Sequence, residues 1–216
     1  MHSKIGDKCL LNRSAIILAG GTSSRFGQDK GVLYLANEPL TKYVIDAIST
    51  IVDEKIIVTN SKAQAEKYAK IGGPNAQVLI DAYDVRGTLV GALTGFEKAH
   101  GKYSLLVPCD TPFISKDVVL LLFELCVNKT AAIPRWPNGY TEPLQAVYCT
   151  RLATEAAKMA LSEGKLDLRS MAEKLHGVRY VSTLVLQQLD TGLRTFFNIN
   201  TPLDLKKAEN MLKAKK

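Results

Sequence analysis

The chain has 216 residues, 46% of them hydrophobic and 23% charged, which is ordinary for a globular protein and suits one α/β domain. No apolar run reaches the ~18 residues of a transmembrane helix, and residues 1–14 lack the apolar segment of a signal peptide, so a cytoplasmic protein without membrane contact is expected. The net charge of +7 sits mainly at the ends, +2 over residues 1–13 and +3 over residues 201–216, not along a groove interleaved with aromatics; this excludes nucleic acid as the expected partner.

In chain order, the apolar run Ala15–Ala19 stops at Gly20-Gly21 and reads as a buried parallel strand. Residues 32–35 suit a short extended piece, and Pro39 opens a helix to about Thr50. Lys55–Val58 reads as the second strand and ends at Thr59-Asn60. Ser61 caps a helix to about Ile71, which Gly72-Gly73-Pro74 stops. Gln77–Ile80 is the third strand and ends at Asp81. In Gly87–Phe96, three glycines four residues apart allow close packing or close ligand approach. Tyr103–Pro108 is the fourth strand, ending at Cys109-Asp110, and Ser115 caps a helix from Lys116 to about Val127. Strands are expected at 131–133, 143–148, 178–184 and 196–199, helices at 151–162 and 167–175, and Thr201-Pro202 opens a last helix. This alternation of apolar runs and helical patterns predicts βαβ units and a mainly parallel sheet. With no repeat, low-complexity tract or linker, residues 1–216 read as a single domain whose residues 1–13 form a flexible extension.

Candidate chemistry gathers at the carboxyl ends of the predicted strands, where open α/β sheets bind ligands. The loop Gly20-Gly21-Thr22-Ser23-Ser24-Arg25 supplies small residues and many donors, and Arg25 and Lys30 add positive charge. Such a loop suits a polyphosphate, although it is neither a P-loop nor a G-x-G-x-x-G turn. Asp110 reads either as a turn residue or as a carboxylate for a hard cation such as Mg²⁺. Asn60 reads as a helix cap or as an amide for a base or ribose edge. His2, His100 and His176 lie far from any strand-end serine or cysteine. Cys9, Cys109, Cys126 and Cys149 form no C-x-x-C pair, so neither side-chain nucleophilic catalysis nor a cysteine metal cluster is expected. Cys109 and Cys126 read as packing residues.

Leu18-Ala19-Gly20-Gly21, followed by Arg25-Phe26-Gly27 and Asp29-Lys30, resembles the signature loop of the nucleotidyltransferases, and the Asp29-Lys30 ending is similar to that of the molybdenum cofactor guanylyltransferases. The family usually has Met where this chain has Phe26. Cys109-Asp110-Thr111-Pro112 resembles the family's metal-binding segment, and Gly87-Thr88-Leu89-Val90-Gly91 its Gly-Pro-Leu-x-Gly helix start without the proline. Asn198-Ile199-Asn200-Thr201-Pro202 resembles its Asn-x-Asn-Thr-Pro.

The resemblance implies a three-layer Rossmann-like α/β fold of the nucleotide-diphospho-sugar transferase type, with helices on both faces of the sheet. It implies transfer of GMP from GTP to the terminal phosphate of molybdenum-bearing molybdopterin, with Mg²⁺ and release of pyrophosphate. Arg25, Lys30 and Asp110 are then catalytic. Leu18, Ala19, Gly20, Gly21, Lys30, Asn60, Asp81 and Asp110 bind the nucleotide, and Asp110 holds the metal. Glu142, Arg169, Asn198 and Asn200 lie on the acceptor side, while Lys165 reads as a surface cation. Asp84 competes with Asp81, and Thr59 with Asn60. Contact with molybdopterin-handling proteins is compatible with such an activity. The alternatives are a molybdopterin cytidylyltransferase, a guanylyltransferase for another phosphate acceptor, and a non-catalytic nucleotide-sensing adaptor.

Overall fold

The computed structural model describes residues 13–20, 22–23, 28–83 and 85–214. Apart from Arg13, the expected N-terminal extension lies outside them; Arg13 itself is the first residue of β1 (Arg13–Leu18). After it, β2 (Thr22–Ser23) and β3 (Gln28–Asp29) pair as a two-residue antiparallel ladder, and β4 (Tyr34–Leu35) and β5 (Glu38–Pro39) form another. A 3₁₀ turn, Lys30–Val32, lies between them. Then come α1 (Leu40–Ile48), β6 (Glu54–Thr59), α2 (Lys62–Gly72), β7 (Gln77–Ile80), α3 (Thr88–Lys98), β8 (Tyr103–Pro108) and α4 (Lys116–Cys126). The rest of the chain supplies β9 (Ala131–Arg135), β10 (Ala146–Cys149), α5 (Thr150–Ser162), α6 (Leu168–Glu173), β11 (Arg179–Ser182), α7 (Thr183–Leu186) and α8 (Pro202–Lys213).

Seven strands form one sheet in the order β11-β9-β10-β8-β1-β6-β7. β1 lies at its centre, parallel to β6 and β8, and the parallel run continues from β6 to β7. β10 is antiparallel to both neighbours, while β11 runs parallel to β9. The sheet is therefore mainly parallel. All six residues of β8 are buried, as expected of a strand covered on both faces.

The period of two along a strand divides the core into layers. Ala15 and Ile17 of β1, with Leu105 and Val107 of β8, face α1 and α4. Ile16 and Leu106 face the other way, against α3, α5 and α6. A smaller cluster of Leu33, Leu35, Leu40, Ile199 and Ala208 seats α8 against the 33–40 segment. This last contact brings residues 198–200 to the strand tips. No helix among the described residues is long and apolar enough to cross a membrane.

Three sequence expectations are corrected. The strand expected at 143–148 is β10 at 146–149, because residues 142–145 turn: Glu142 N donates to Pro134 O at 2.9 Å and Gln145 N to Glu142 O at 3.1 Å. The strand expected at 178–184 stops at Ser182, whose hydroxyl caps the helical turn α7 by accepting from Leu184 N. The strand expected at 196–199 is a 3₁₀ turn, Arg194–Phe196, followed by irregular backbone. There Asp190 Oδ2 accepts from both Thr195 N and Thr195 Oγ1, at 2.8 and 2.9 Å, and folds the chain back before it can extend.

Candidate active site

Four parallel strands, β1, β6, β7 and β8, deliver their last residues to the same edge of the sheet. Between these tips lies a cavity of 410 Å³. Leu18, Gly20, Asn60, Asp81, Lys30 and Asp110 all line it, joined by Gly87, Thr88 and Gly91 at the start of α3. Ala19 does not: it is fully buried beneath the loop, its N–H donating to Val58 O at 2.8 Å. Gly21, Arg25 and Asp84 lie outside the described residues.

Each wall has a local cause. Asn60 donates its side-chain amide to Gly20 O, and a Cβ on Gly20 would overlap that amide. The loop can therefore pass Asn60 only as glycine. The neighbouring Thr59 is buried and donates its hydroxyl to Leu79 O at 3.0 Å, so Asn60 is the member of the pair that faces the cavity. Asp81 is fixed at one oxygen, where Oδ1 accepts from Thr94 Oγ1 of α3 at 2.9 Å.

The polar centre joins three distant segments. Lys30 Nζ lies 3.3 Å from Asp110 Oδ2 and 2.5 Å from Asn200 Oδ1. Their sequence separations, 80 and 170 residues, show why only the fold assembles them. Lys30 and Asp110 keep side-chain exposures of 22% and 12%, so the pair is shielded yet reachable. Burial pushes the Asp110 carboxyl above its usual range, and the Lys30 ammonium only partly offsets this. Asn200 is free to accept from Lys30 because it is not the cap of α8. Thr201 caps that helix through a reciprocal box with Asp204. Ile199 N donates to Asp110 O at 3.0 Å and ties the segment to the end of β8.

A second cavity of 450 Å³ adjoins the first and shares Thr88, Pro108 and Leu144 with it. Glu142, Arg169 and Asn198 line it. Glu142 Oε1 accepts from Trp136 Nε1 at 2.7 Å, and burial holds the carboxyl above its ordinary range. Arg169 stacks its guanidinium 5.9 Å from the Tyr140 ring centre. The acceptor-side candidates thus divide, Glu142, Arg169 and Asn198 lining this cavity and Asn200 sitting on Lys30. Lys165 is exposed outside both cavities.

The arrangement suits charge handling better than covalent catalysis. The buried Cys109 thiol is pushed up by desolvation and by the Asp110 carboxylate, away from the thiolate a nucleophile needs. Among the described residues no three His, Cys, Asp or Glu side chains form a metal cage. Two hard oxygens, Asp110 Oδ2 and Asn200 Oδ1, converge instead on one cationic nitrogen. Sequence reading missed Thr94 as the partner of Asp81, and it singled out the segments of Thr88 and Leu144 without their meeting at the junction of the cavities. The four-residue glycine spacing at 87, 91 and 95 was the available signal for α3.

Residues 15–178 match the family model of the MobA-like NTP transferase domain. The chain is 33% identical over 205 residues to a probable molybdenum cofactor guanylyltransferase of Methanosarcina mazei, covering 93% of this chain and 90% of the relative. It is 34% identical to a molybdenum cofactor guanylyltransferase of Desulfosudis oleivorans, covering 93% and 96%. Among solved structures, molybdopterin-guanine dinucleotide biosynthesis protein A of Archaeoglobus fulgidus superposes with a TM-score of 0.79 at 28% identity, over 93% of this chain and 99% of that one.

Proposed function

Because the chain belongs to the MobA-like NTP transferase family, we propose that it transfers GMP from GTP to the terminal phosphate of molybdenum-bearing molybdopterin in the cytoplasm. The observation that carries this reading is the contact of Lys30 with Asp110 and Asn200 at the strand tips, where two cavities meet. The first cavity takes the nucleotide and the second the acceptor. An oxygen of the acceptor phosphate bonds to the α-phosphorus of GTP, the bond from that phosphorus to the bridging oxygen breaks, and pyrophosphate leaves.

No general base is needed, since a phosphate monoester with a second pKa of ~6 is already anionic at pH 7. The chain's task is to hold two polyanions together and meet the charge developing on the leaving group. Lys30 does the second, and the sequence pattern assigns Arg25 the same task. Asn60 and Asp81 bind the nucleoside, and Leu18 and Gly20 form the wall along which it lies. Glu142, Arg169 and Asn198 line the acceptor's cavity, where the Arg169 guanidinium suits its phosphate.

The donor set fits a divalent cation. One carboxylate and one amide oxygen, with no protein cage among the described residues, match the way Mg²⁺ is shared between protein and substrate phosphates. Asp110, helped by Asn200, would hold it, and when bound it neutralises charge on the phosphate oxygens.

Thermal shift with each nucleoside triphosphate plus Mg²⁺ tests the reading. A rise in melting temperature with GTP alone is expected. A rise with CTP alone would reassign the chain to cytidylyl transfer, and no rise with any nucleotide would overturn the nucleotide reading.

A further inference from the structure

Asp29 precedes Lys30 and is buried, at 8% exposure. Its carboxylate caps the 3₁₀ turn that carries Lys30, Oδ1 accepting from Gly31 N at 3.1 Å. The same oxygen accepts from Tyr68 Oη at 2.6 Å, and Oδ2 accepts from Gln64 Nε2 at 2.8 Å. Tyr68 and Gln64 are four residues apart on α2 and so share one face. Tyr68 is fully buried. The far end of the Gln64 amide is also used, Oε1 accepting from Asn60 N at 3.1 Å. The turn is clamped from the other side as well. Thr41 Oγ1 donates to Gly31 O at 2.8 Å, and a Cβ on Gly31 would stand 2.9 Å from Cys109 Sγ.

Lys30 therefore rests on a continuous chain of bonds that starts at the nucleotide wall. Asn60 holds Gly20, Gln64 joins Asn60 to Asp29, and Asp29 fixes the backbone from which Lys30 reaches Asp110 and Asn200. A buried carboxylate whose donors among the described residues are all uncharged adds little to stability for the desolvation it costs. Its geometry, however, leaves the following backbone a single course. We propose that Asp29, Gln64 and Tyr68 are positioning residues that set the Lys30 ammonium for phosphate chemistry, with Gln64 coupling it to the nucleotide wall at Asn60.

Crystal structures of Tyr68→Phe and of Gln64→Met, each measured beside the wild-type protein, test this directly. Both variants are expected to move Lys30 Nζ out of hydrogen-bonding range of Asp110 Oδ2 or Asn200 Oδ1. The kinetic arm rests on the proposed transferase activity. Each variant should lower kcat/KM on the order of tenfold, as for loss of a hydrogen bond to a charged group. In a Lys30→Ala background neither should lower it further, because the route of action is already gone. A merely structural role would give losses that add in that background. Lys30 contacts kept intact in both variants, or additive losses, would overturn the proposal. A wild-type protein without guanylyl transfer would sink the activity instead, and the crystallographic distances would still decide the positioning.

Discussion

Lys30 and Asp110 illustrate how a shielded ion pair can matter more for a reaction than for stability. A cation aimed at a triphosphate acts most strongly in the transition state, where charge builds on the leaving group. Lys30→Ala is accordingly expected to lower kcat/KM by on the order of 10²–10³ with the fold retained, and a loss below about threefold would remove Lys30 from the site. Asp110 carries a second consequence. Burial raises its carboxyl more than Lys30 lowers it, so the native state holds the proton more tightly than the unfolded chain. The protonated group's contribution to stability is full below the unfolded pKa of about 4 and is lost as pH rises through the higher native value. The charged carboxylate thus costs stability at neutral pH. Asp110→Asn, neutral throughout, should melt higher than wild type at pH 7, with the gain fading by about pH 4. A variant that melts lower at pH 7 would show that the Lys30 contact outweighs desolvation. Positions such as Asp110 and Asn60 are legible in sequence because each ends an apolar run. The link from Gln64 and Tyr68 to Asp29 was not, since a tyrosine and a glutamine on a helix read as packing and solvation unless a buried carboxylate is known to face them.

Helix α3 shows the same contrast at the level of elements. Its glycine spacing signals close approach, and Gly95 is where this is most acute. A Cβ there would overlap Ile16 Cγ2 and stand 3.2 Å from Ile16 Cγ1, in the middle of β1. Two effects compete in Gly95→Ala. Helix propensity favours alanine by about 1 kcal/mol, whereas overpacking a filled core costs roughly 1–3 kcal/mol. Because Ile16 is fully buried and β-branched, it has little room to yield, so the cost should win. The expected result in calorimetry is a melting temperature lower by a few degrees. An unchanged or higher value would mean that α3 can slide along β1 without loss. The parallel strands β1, β6, β7 and β8 were readable from apolar runs bounded by breakers. The elements misjudged, at 143–148, 178–184 and 196–199, have β-like composition but are redirected by hydrogen bonds that Glu142 N donates to Pro134 O, Ser182 Oγ accepts from Leu184 N and Asp190 Oδ2 accepts from Thr195 N. The Ser182 and Asp190 bonds are local, and none of them leaves a mark in hydrophobic period.

At the scale of the molecule, strand order explains why one edge of the sheet carries the chemistry. With β1 central and parallel to β6 and β8, consecutive crossovers return β1, β6, β7 and β8 in the same direction, so their polar ends meet. The antiparallel strand β10 then places the 134–145 loop beside that edge, and α8 carries residues 198–200 back to it. The first cavity and its neighbour are therefore products of topology, legible in outline from the βαβ alternation. Their junction at Thr88, Pro108 and Leu144 was not, because no local pattern records which loops face each other. The decisive measurement is transfer of label from α-phosphate-labelled GTP to molybdenum-bearing molybdopterin by the purified chain with Mg²⁺. Formation of labelled dinucleotide with one pyrophosphate released per product, lost in Asp110→Ala, is the predicted result. A folded wild-type protein that transfers no label, or an Asp110→Ala protein that transfers it at the wild-type rate, would contradict it.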